Sequence, residues 1–344
     1  MIHYSMSSRT LTPSTAPAAA PPRPAPSGTG MRPDLTTELP VTSPAAYAAL
    51  VPALPSSTPG APPHTLWSIS PLAAAHLSLD KVLLHQKWLI QAGAAHTVLI
   101  TDVHAALCPD ADPFRIEQQA RCYEHYLSQI CGLAATIVRG SAFQRSPTYQ
   151  LQLARLLDRD TDTNAGNNPR TKAAAMQILD PCFLSIDAVM LDQETLLPRP
   201  AHRHQTGDGP APIYTPPLYS TTGRPLREST PDARIFIHDS QHELARKIKQ
   251  MYAPPADHTL AQGSVNAVLE YFRWSVFPWV TDAVPVHLTD GGYGFFTSYD
   301  DLETAYAAGQ IHPSDAKTAL LLMLTARLQT IQAHLPDTPS DADR

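Results

Sequence analysis

The chain has few of the features that mark metal-binding, disulfide-rich or strongly basic proteins. Its 344 residues include only four cysteines, and no two of them form a Cys-x-x-Cys pair. Neither a zinc site nor a disulfide framework is therefore indicated, and we expect reduced thiols and no resident metal. Lys and Arg number 25 against 31 Asp and Glu, a formal net charge of -6. This balance argues against nonspecific nucleic-acid binding.

Long apolar runs are also missing. No apolar stretch approaches the length of a membrane span, and the opening MIHYSMSSRT has no apolar signal-peptide core. We therefore expect a cytoplasmic protein with no membrane contact.

Proline is abundant but unevenly placed. Many of the 35 prolines lie in the first 63 residues, among Ala and Ser. This composition cannot bury enough surface to offset the ordering entropy, so we expect disorder over residues 1–33 within a largely disordered segment, residues 1–60. A short helix around residues 44–54 is expected to dock on the domain that follows. The tail, residues 337–344, is also expected to be disordered.

The residues after this segment alternate between strand and helix patterns. Apolar spacing predicts a helix over residues 79–90, and residues 97–101 are typical of a buried strand. Asp112-Pro113 begins another helix, and residues 134–138 form the next predicted strand. Strand–helix–strand connections of this kind make a parallel sheet. The predicted fold class is therefore α/β, with a Rossmann-type nucleotide-binding domain over residues 61–235.

The last third has helical periodicity. Ser240-x-x-Glu243 is a capping box before a helix at 241–252, and residues 265–277 and 315–335 repeat with a period near 3.6. We expect an α-helical C-terminal domain over residues 236–336. Near the end of the first domain, residues 198–233 are rich in Pro and Gly and predict a loop of low order.

Polar residues lie near the predicted strand ends. His76-Leu77-Ser78 stands where a turn meets the helix at 79–90, and Asp102 and His104 follow the strand at 97–101. Ligands of parallel sheets bind beyond the carboxyl ends of the strands, so these side chains can converge on one crevice.

Several stretches, taken in order, resemble the tyrosyl-tRNA synthetase family of archaeal and eukaryotic type, which are class I aminoacyl-tRNA synthetases. The matches cover roughly residues 64–335. The matching residues are Pro71, His76, Leu77, Asp102, His104 and Ala105, then Gly140 to Gln144, Met176, Gln177 and Asp180, Asp187, Asp192 and Gln193, His238 to Tyr252, Thr297 to Glu303, and His312 to Lys317.

The chain departs from the family at several motif positions. Leu66 and Ala173 stand where the family has tyrosines that contact the amino acid, and Leu79 replaces the second histidine of the His-Ile-Gly-His motif. The residues 226–230, Leu-Arg-Glu-Ser-Thr, take the place of the mobile Lys-Met-Ser-Lys-Ser loop. The losses fall on both the nucleotide site and the amino-acid site.

The resemblance implies a site for ATP, with Mg²⁺ accompanying it, and a site for an amino acid. The expected ATP-binding residues are Pro71, His76, Ser78, Arg224 and Arg227, of which His76, Ser78 and Arg227 are the candidate catalytic groups. The expected amino-acid-binding residues are Leu66, Asp102, His104, Ala173, Gln177, Asp180 and Gln193. Ordinary roles compete: a helix-start histidine for His76, a helix-end cap for Asp180, and solvated loop charges for the two arginines.

Three functions remain open on this basis. The chain can be a divergent synthetase that activates an amino acid and charges tRNA, although it supplies the Lys and Arg that a tRNA ligand needs only sparsely. It can instead activate an amino acid for a non-tRNA acceptor in a biosynthetic pathway. The third reading is a catalytically silent binding protein. The resemblance also implies a homodimer.

Overall fold

The computed structural model describes residues 40–158, 168–192, 209–256, 258–260 and 262–335. The expected disorder of residues 1–33, the role of Gln193 and the expected disorder of the tail, residues 337–344, lie outside the described residues.

A five-stranded parallel sheet forms the centre of the first part of the chain. In sheet order, its strands are β3 (Thr136–Arg139), β2 (Ala95–Ile100), β1 (His64–Ile69), β4 (Ala188–Asp192) and β5 (Ala211–Thr215). The predicted Rossmann-type α/β fold is therefore confirmed. The strand order reverses between β1 and β4, and ligands of such sheets bind beyond the carboxyl ends at this point.

The helices at Pro113–His125 and Gln241–Gln250 begin where the sequence signals place them. Those of the first part are α1 (Pro44–Leu50), α2 (Leu79–Gln91), α3 (Asp102–Ala105), α4 (Pro113–His125), α5 (Pro147–Asp158) and α6 (Pro169–Phe183); those of the second part are α7 (Gln241–Gln250), α8 (Ala267–Tyr271), α9 (Tyr299–Ala307) and α10 (Pro313–Gln332). The side chain of Ser240 accepts a hydrogen bond from the backbone N–H of Glu243, as the capping box predicts. Helices α4 and α8 each continue into a π-helical turn, at Tyr126–Ile130 and Phe272–Val276.

Two elements differ from the sequence prediction. Residues 209–233, expected to be part of a loop, contain β5, which tolerates Pro212 because it is an edge strand of this sheet. The C-terminal part, expected to be helical, also contains an antiparallel hairpin of β6 (Val284–His287) and β7 (Tyr293–Phe296). Pro285 and the adjacent Gly291 and Gly292 obscured its alternating pattern.

The helix α1 docks as expected. The Tyr47 ring is fully buried, and its hydroxyl lies 3.1 Å from Nδ1 of His85 on α2. Trp88 of α2 packs against the same ring. This short helix is therefore held by a specific buried contact in addition to its apolar area.

One hydrophobic core crosses the boundary predicted between residues 235 and 236. Leu77 and Leu83 of the first part pack in the same cluster as Ile237, Leu244 and Leu320 of the second. The division into two domains at this point stays a prediction. No helix in the described part of the chain is long and apolar enough to cross a membrane.

Candidate active site

The turn between β1 and α2 is closed by backbone pairing with a later segment. Leu77 N donates to Ile235 O at 2.8 Å, and Ile237 N donates to Ala75 O at 3.0 Å. His76 therefore stands opposite Phe236 in a short antiparallel bridge. Pro71 of the same turn is buried.

His76 is almost fully enclosed at this turn. Only 6% of the residue is exposed, its ring meets that of Phe236 edge to face, and Nδ1 has no hydrogen-bond partner among the described residues. Burial, assisted by the nearby Arg234 guanidinium, lowers the pKa of His76 to about 3. The imidazole is therefore neutral near pH 7, and one of its ring nitrogens can still donate a hydrogen bond.

The start of α2 is less open than the sequence suggests. Leu79 N already donates to His76 O and Asp80 N to Leu77 O, both at 3.0 Å. The Ser78 hydroxyl lies 3.1 Å from the hydroxyl of Tyr271 and makes no capping bond. The amides of Leu79 and Asp80 are therefore used within the turn itself, and the Ser78 hydroxyl contacts the C-terminal part. The role of Ser78 in phosphate binding stays a prediction.

Charged residues in the first turn of α2 are also tied to the C-terminal helices. Arg327 of α10 holds the Asp80 carboxylate with two hydrogen bonds, Nη1 to Oδ2 at 2.6 Å and Nη2 to Oδ1 at 2.7 Å. Lys81 Nζ lies 2.7 Å from Oε1 of Glu270 on α8. Both pairs are largely buried, so the nucleotide turn and the C-terminal helices share one polar network.

A second polar cluster lies beyond the ends of β2 and β3. Asp102 accepts hydrogen bonds from both the backbone N–H and the hydroxyl of Ser141. The turn that follows β3 comes so close that a Cβ built on Gly140 would stand 2.4 Å from Gln144 Oε1 and 3.0 Å from Asp102 Oδ1. A side chain at position 140 would therefore displace the Gln144 side chain.

Asp180 is the centre of this cluster. Its Oδ1 accepts from the Tyr149 hydroxyl at 2.6 Å, and Nε2 of Gln144 lies 2.8 and 2.9 Å from its two oxygens. His104 Nε2 is 3.1 Å from Oδ2. Asp180 is 2% exposed, so its carboxylate faces the protein and not bulk water. Burial, with the Asp180 charge beside it, raises the pKa of Tyr149, which stays a hydrogen-bond donor.

The other expected amino-acid-binding residues are placed differently. Leu66 is buried in an apolar cluster with Leu99 and Ile186. Ala173 is partly buried on α6, and Gln177, one turn before Asp180, is exposed. The structure therefore joins Asp102, His104 and Asp180 at one edge of the sheet, but the Gln177 side chain faces outward.

The two loop arginines face an acidic neighbour. Arg224 Nη1 is 3.9 Å and Arg227 Nη2 is 3.6 Å from Glu228, and more than half of each arginine side chain is exposed. Glu228 offsets their charge, as the sequence indicates.

Three site residues were not among the sequence candidates: Gln144, Tyr149 and Arg234. The motif Gly140-Ser-Ala-Phe-Gln144 carried a signal for Gln144, since it follows a strand end. Tyr149 and Arg234 had none, because their partners are distant in sequence.

This chain is similar in sequence to tyrosine–tRNA ligases. No family model matches the chain. The tyrosine–tRNA ligase of Methanoculleus marisnigri is 34% identical over 254 residues, which are 67% of this chain and 76% of that protein. The tyrosine–tRNA ligase of Methanospirillum hungatei is 29% identical over 270 residues, 71% of this chain and 82% of that protein.

Solved structures agree in fold. The tyrosyl-tRNA synthetase of Aeropyrum pernix superposes with a TM-score of 0.63 at 23% identity, over 80% of this chain and 86% of that one. The Archaeoglobus fulgidus enzyme, solved in complex with L-tyrosine, gives 0.61 at 23% identity over 80% and 90%. With the sequence matches above, this chain belongs to the tyrosyl-tRNA synthetase family of class I aminoacyl-tRNA synthetases.

Proposed function

We propose that the chain binds ATP and an amino acid at the carboxyl edge of the sheet and joins them as an aminoacyl-adenylate. The observation that carries the proposal is the arrangement of His76 after β1 and of Asp102, His104 and Asp180 at and near the ends of the neighbouring strands, in a chain related to tyrosine–tRNA ligases. In this reaction a carboxylate oxygen attacks the α-phosphorus, the bond to the β-phosphate oxygen breaks, and pyrophosphate leaves.

Such a reaction depends on positioning and on stabilising the charge of the leaving pyrophosphate. The neutral His76 can donate a hydrogen bond to a phosphate oxygen. Mg²⁺ would enter bound to the ATP phosphates, since no group of three His, Cys, Asp or Glu in the described ranges is arranged to hold a metal. The ion would neutralise phosphate charge and orient the leaving group.

The amino-acid side of the site supports weak tyrosine activation. In the family, the residue that matches Asp180 reads the phenol hydroxyl of the substrate. Here Asp180 already accepts from the phenol of Tyr149 and lies against Gln144 and His104. Leu66, in place of a family tyrosine, adds no polar group. A site that selects by hydrogen-bonding a hydroxyl depends on such groups, so we propose that tyrosine is a poor substrate.

A second candidate concerns the acceptor. The absent motif lysines and the altered amino-acid pocket favour a specialised paralogue that passes the acyl group to a small molecule or carrier protein instead of tRNA. We keep tRNA as the alternative acceptor and a homodimer as the proposed assembly.

ATP–pyrophosphate exchange with each of the twenty amino acids tests the activity. We expect exchange with at least one amino acid, and the exchange rate with tyrosine should be lower than with the best substrate. Absence of exchange with all twenty, from protein that still binds ATP in a titration, would favour a silent binding protein. If exchange occurs, a tRNA-charging assay with the best amino acid separates the two acceptors.

A further inference from the structure

Arg234 directly precedes the segment that pairs with His76 and its neighbours. Residues 235–237 run antiparallel to residues 75–77, with His76 opposite Phe236. Side chains two residues apart in an extended segment share a face. Phe236 therefore lies on the His76 side and Arg234 directly precedes the paired residues, whereas Ile235 and Ile237 are fully buried in the core.

Two polar atoms on this side have no partner. Nε of Arg234 and Nδ1 of His76 are both buried, and neither has a hydrogen-bond partner among the described residues. His76 itself is more than nine-tenths buried. An unsatisfied buried polar group costs about 1–3 kcal/mol, so two of them beside a predicted nucleotide turn call for a ligand. Nε of Arg234 is a donor, so this ligand must accept hydrogen bonds.

The charge at this place is also unbalanced. Arg234 acts on His76 electrostatically and also on Tyr123, whose hydroxyl donates to Ala73 O of the same turn at 3.1 Å. Arg234 therefore lies near the β1–α2 turn. By contrast, Arg224 and Arg227 are exposed and both lie within 4 Å of Glu228.

We propose that Arg234 and His76 together form a phosphate-binding site, in which the Arg234 guanidinium supplies positive charge that Glu228 does not offset. This inference rests on the proposed function, because it names the residue that holds the ATP phosphates. A guanidinium binds phosphate through two parallel hydrogen bonds. The bound anion would accept hydrogen bonds from Nε of Arg234 and from a nitrogen of His76. Its negative charge would offset the positive charge of Arg234.

Calorimetric titration of Arg234→Gln with Mg-ATP and, separately, with adenosine tests the proposal. Loss of charge-assisted hydrogen bonds should weaken ATP binding roughly ten- to a hundredfold, while adenosine binding stays unchanged. Arg234→Lys keeps the charge but loses the two-pronged geometry, so its affinity should lie between those of the wild type and Arg234→Gln. The matched control is Arg246→Gln, which removes an arginine that is paired with Glu243 on the exposed side of α7.

The outcomes separate this inference from the proposed function. If Arg234→Gln binds ATP as tightly as the wild type does, the inference is overturned and the proposed function stays in place. Wild-type protein that binds neither ATP nor adenosine overturns both. An equal weakening of ATP and adenosine binding also overturns the inference, because it indicates a general loss of structure.

A measurement on the unmodified chain covers the case in which the variants fold poorly. The imidazole ¹⁵N signals of His76, assigned by their loss in His76→Gln, should shift when Mg-ATP is added and stay in place when adenosine is added. The proposal would be overturned if the His76 signals did not shift at saturating Mg-ATP.

Discussion

The buried pair of Asp80 and Arg327 is predicted to carry a large share of the stability. Asp80 is fully buried and accepts two guanidinium hydrogen bonds and one from the Tyr126 hydroxyl at 3.1 Å. Arg327 also donates to Ser275 O and lies over the Trp279 ring. In Asp80→Asn the guanidinium would remain buried, and it cannot neutralise itself by losing a proton. Breaking such a pair costs about 3–5 kcal/mol.

Urea unfolding followed by circular dichroism measures this cost. Because a domain has a free energy of unfolding of only about 5–15 kcal/mol, the midpoint for Asp80→Asn should fall sharply with little change in slope. The double variant Asp80→Leu with Arg327→Met removes both charges and should be more stable than either single variant. Arg121→Gln, which breaks an exposed pair with Glu117, should cost about 0.2–1 kcal/mol. A cost for Asp80→Asn no larger than that of Arg121→Gln would refute the reasoning.

Three further predictions concern burial, the amino-acid pocket and the N-terminal helix. Burial lowers the pKa to about 3 for three histidines, and these are His76, His85 and His96. These histidines gain protons below about pH 6.5 in the unfolded chain but not in the folded protein. The free energy of unfolding should therefore decrease as the pH is lowered, by up to about 1.4 kcal/mol per pH unit for each histidine. Equal urea midpoints at pH 7.5 and 5.5 would contradict this. Tyr149→Phe removes one of the two hydrogen bonds that Asp180 Oδ1 accepts and should raise the ratio of tyrosine to phenylalanine exchange. An unchanged ratio would show that the pocket does not use that oxygen. Tyr47→Ala should cost about 3–5 kcal/mol and Tyr47→Phe about 1 kcal/mol, and similar values for the two in urea unfolding would mean that the ring packing of α1 contributes little.

The sequence predicts the parts of the fold that depend on local signals. The helices after Asp112-Pro113, Asn168-Pro169 and Ser240 start where their caps are, because a side-chain oxygen there satisfies a free amide within three residues. The hairpin of β6 and β7 was missed because proline and glycine interrupt its alternation. Edge strand β5 was missed for a similar reason.

The site was predictable as a location and less so as a set of contacts. His76 and Asp102 follow strand ends, and that placement is visible in the sequence. The partners of Ser78 and Asp80 are not, because Tyr271 and Arg327 lie 193 and 247 positions later in the chain. No periodicity or motif encodes contacts of that range, so the closed state of the α2 N-terminus emerges only from tertiary packing.

The distance between Asp80 and Arg327 along the chain also bears on biosynthesis. Synthesis proceeds from the N-terminus at about 5–20 residues per second, so the segment carrying Asp80 leaves the ribosome well before Arg327 exists. During that interval the carboxylate has no cation to hold it and must stay hydrated, so the turn that carries His76 cannot reach its final packing. The nucleotide turn is therefore expected to complete its folding only after Arg327 has left the ribosome. Incomplete translation products should fail to form this turn, even when all five strands of the sheet have been made.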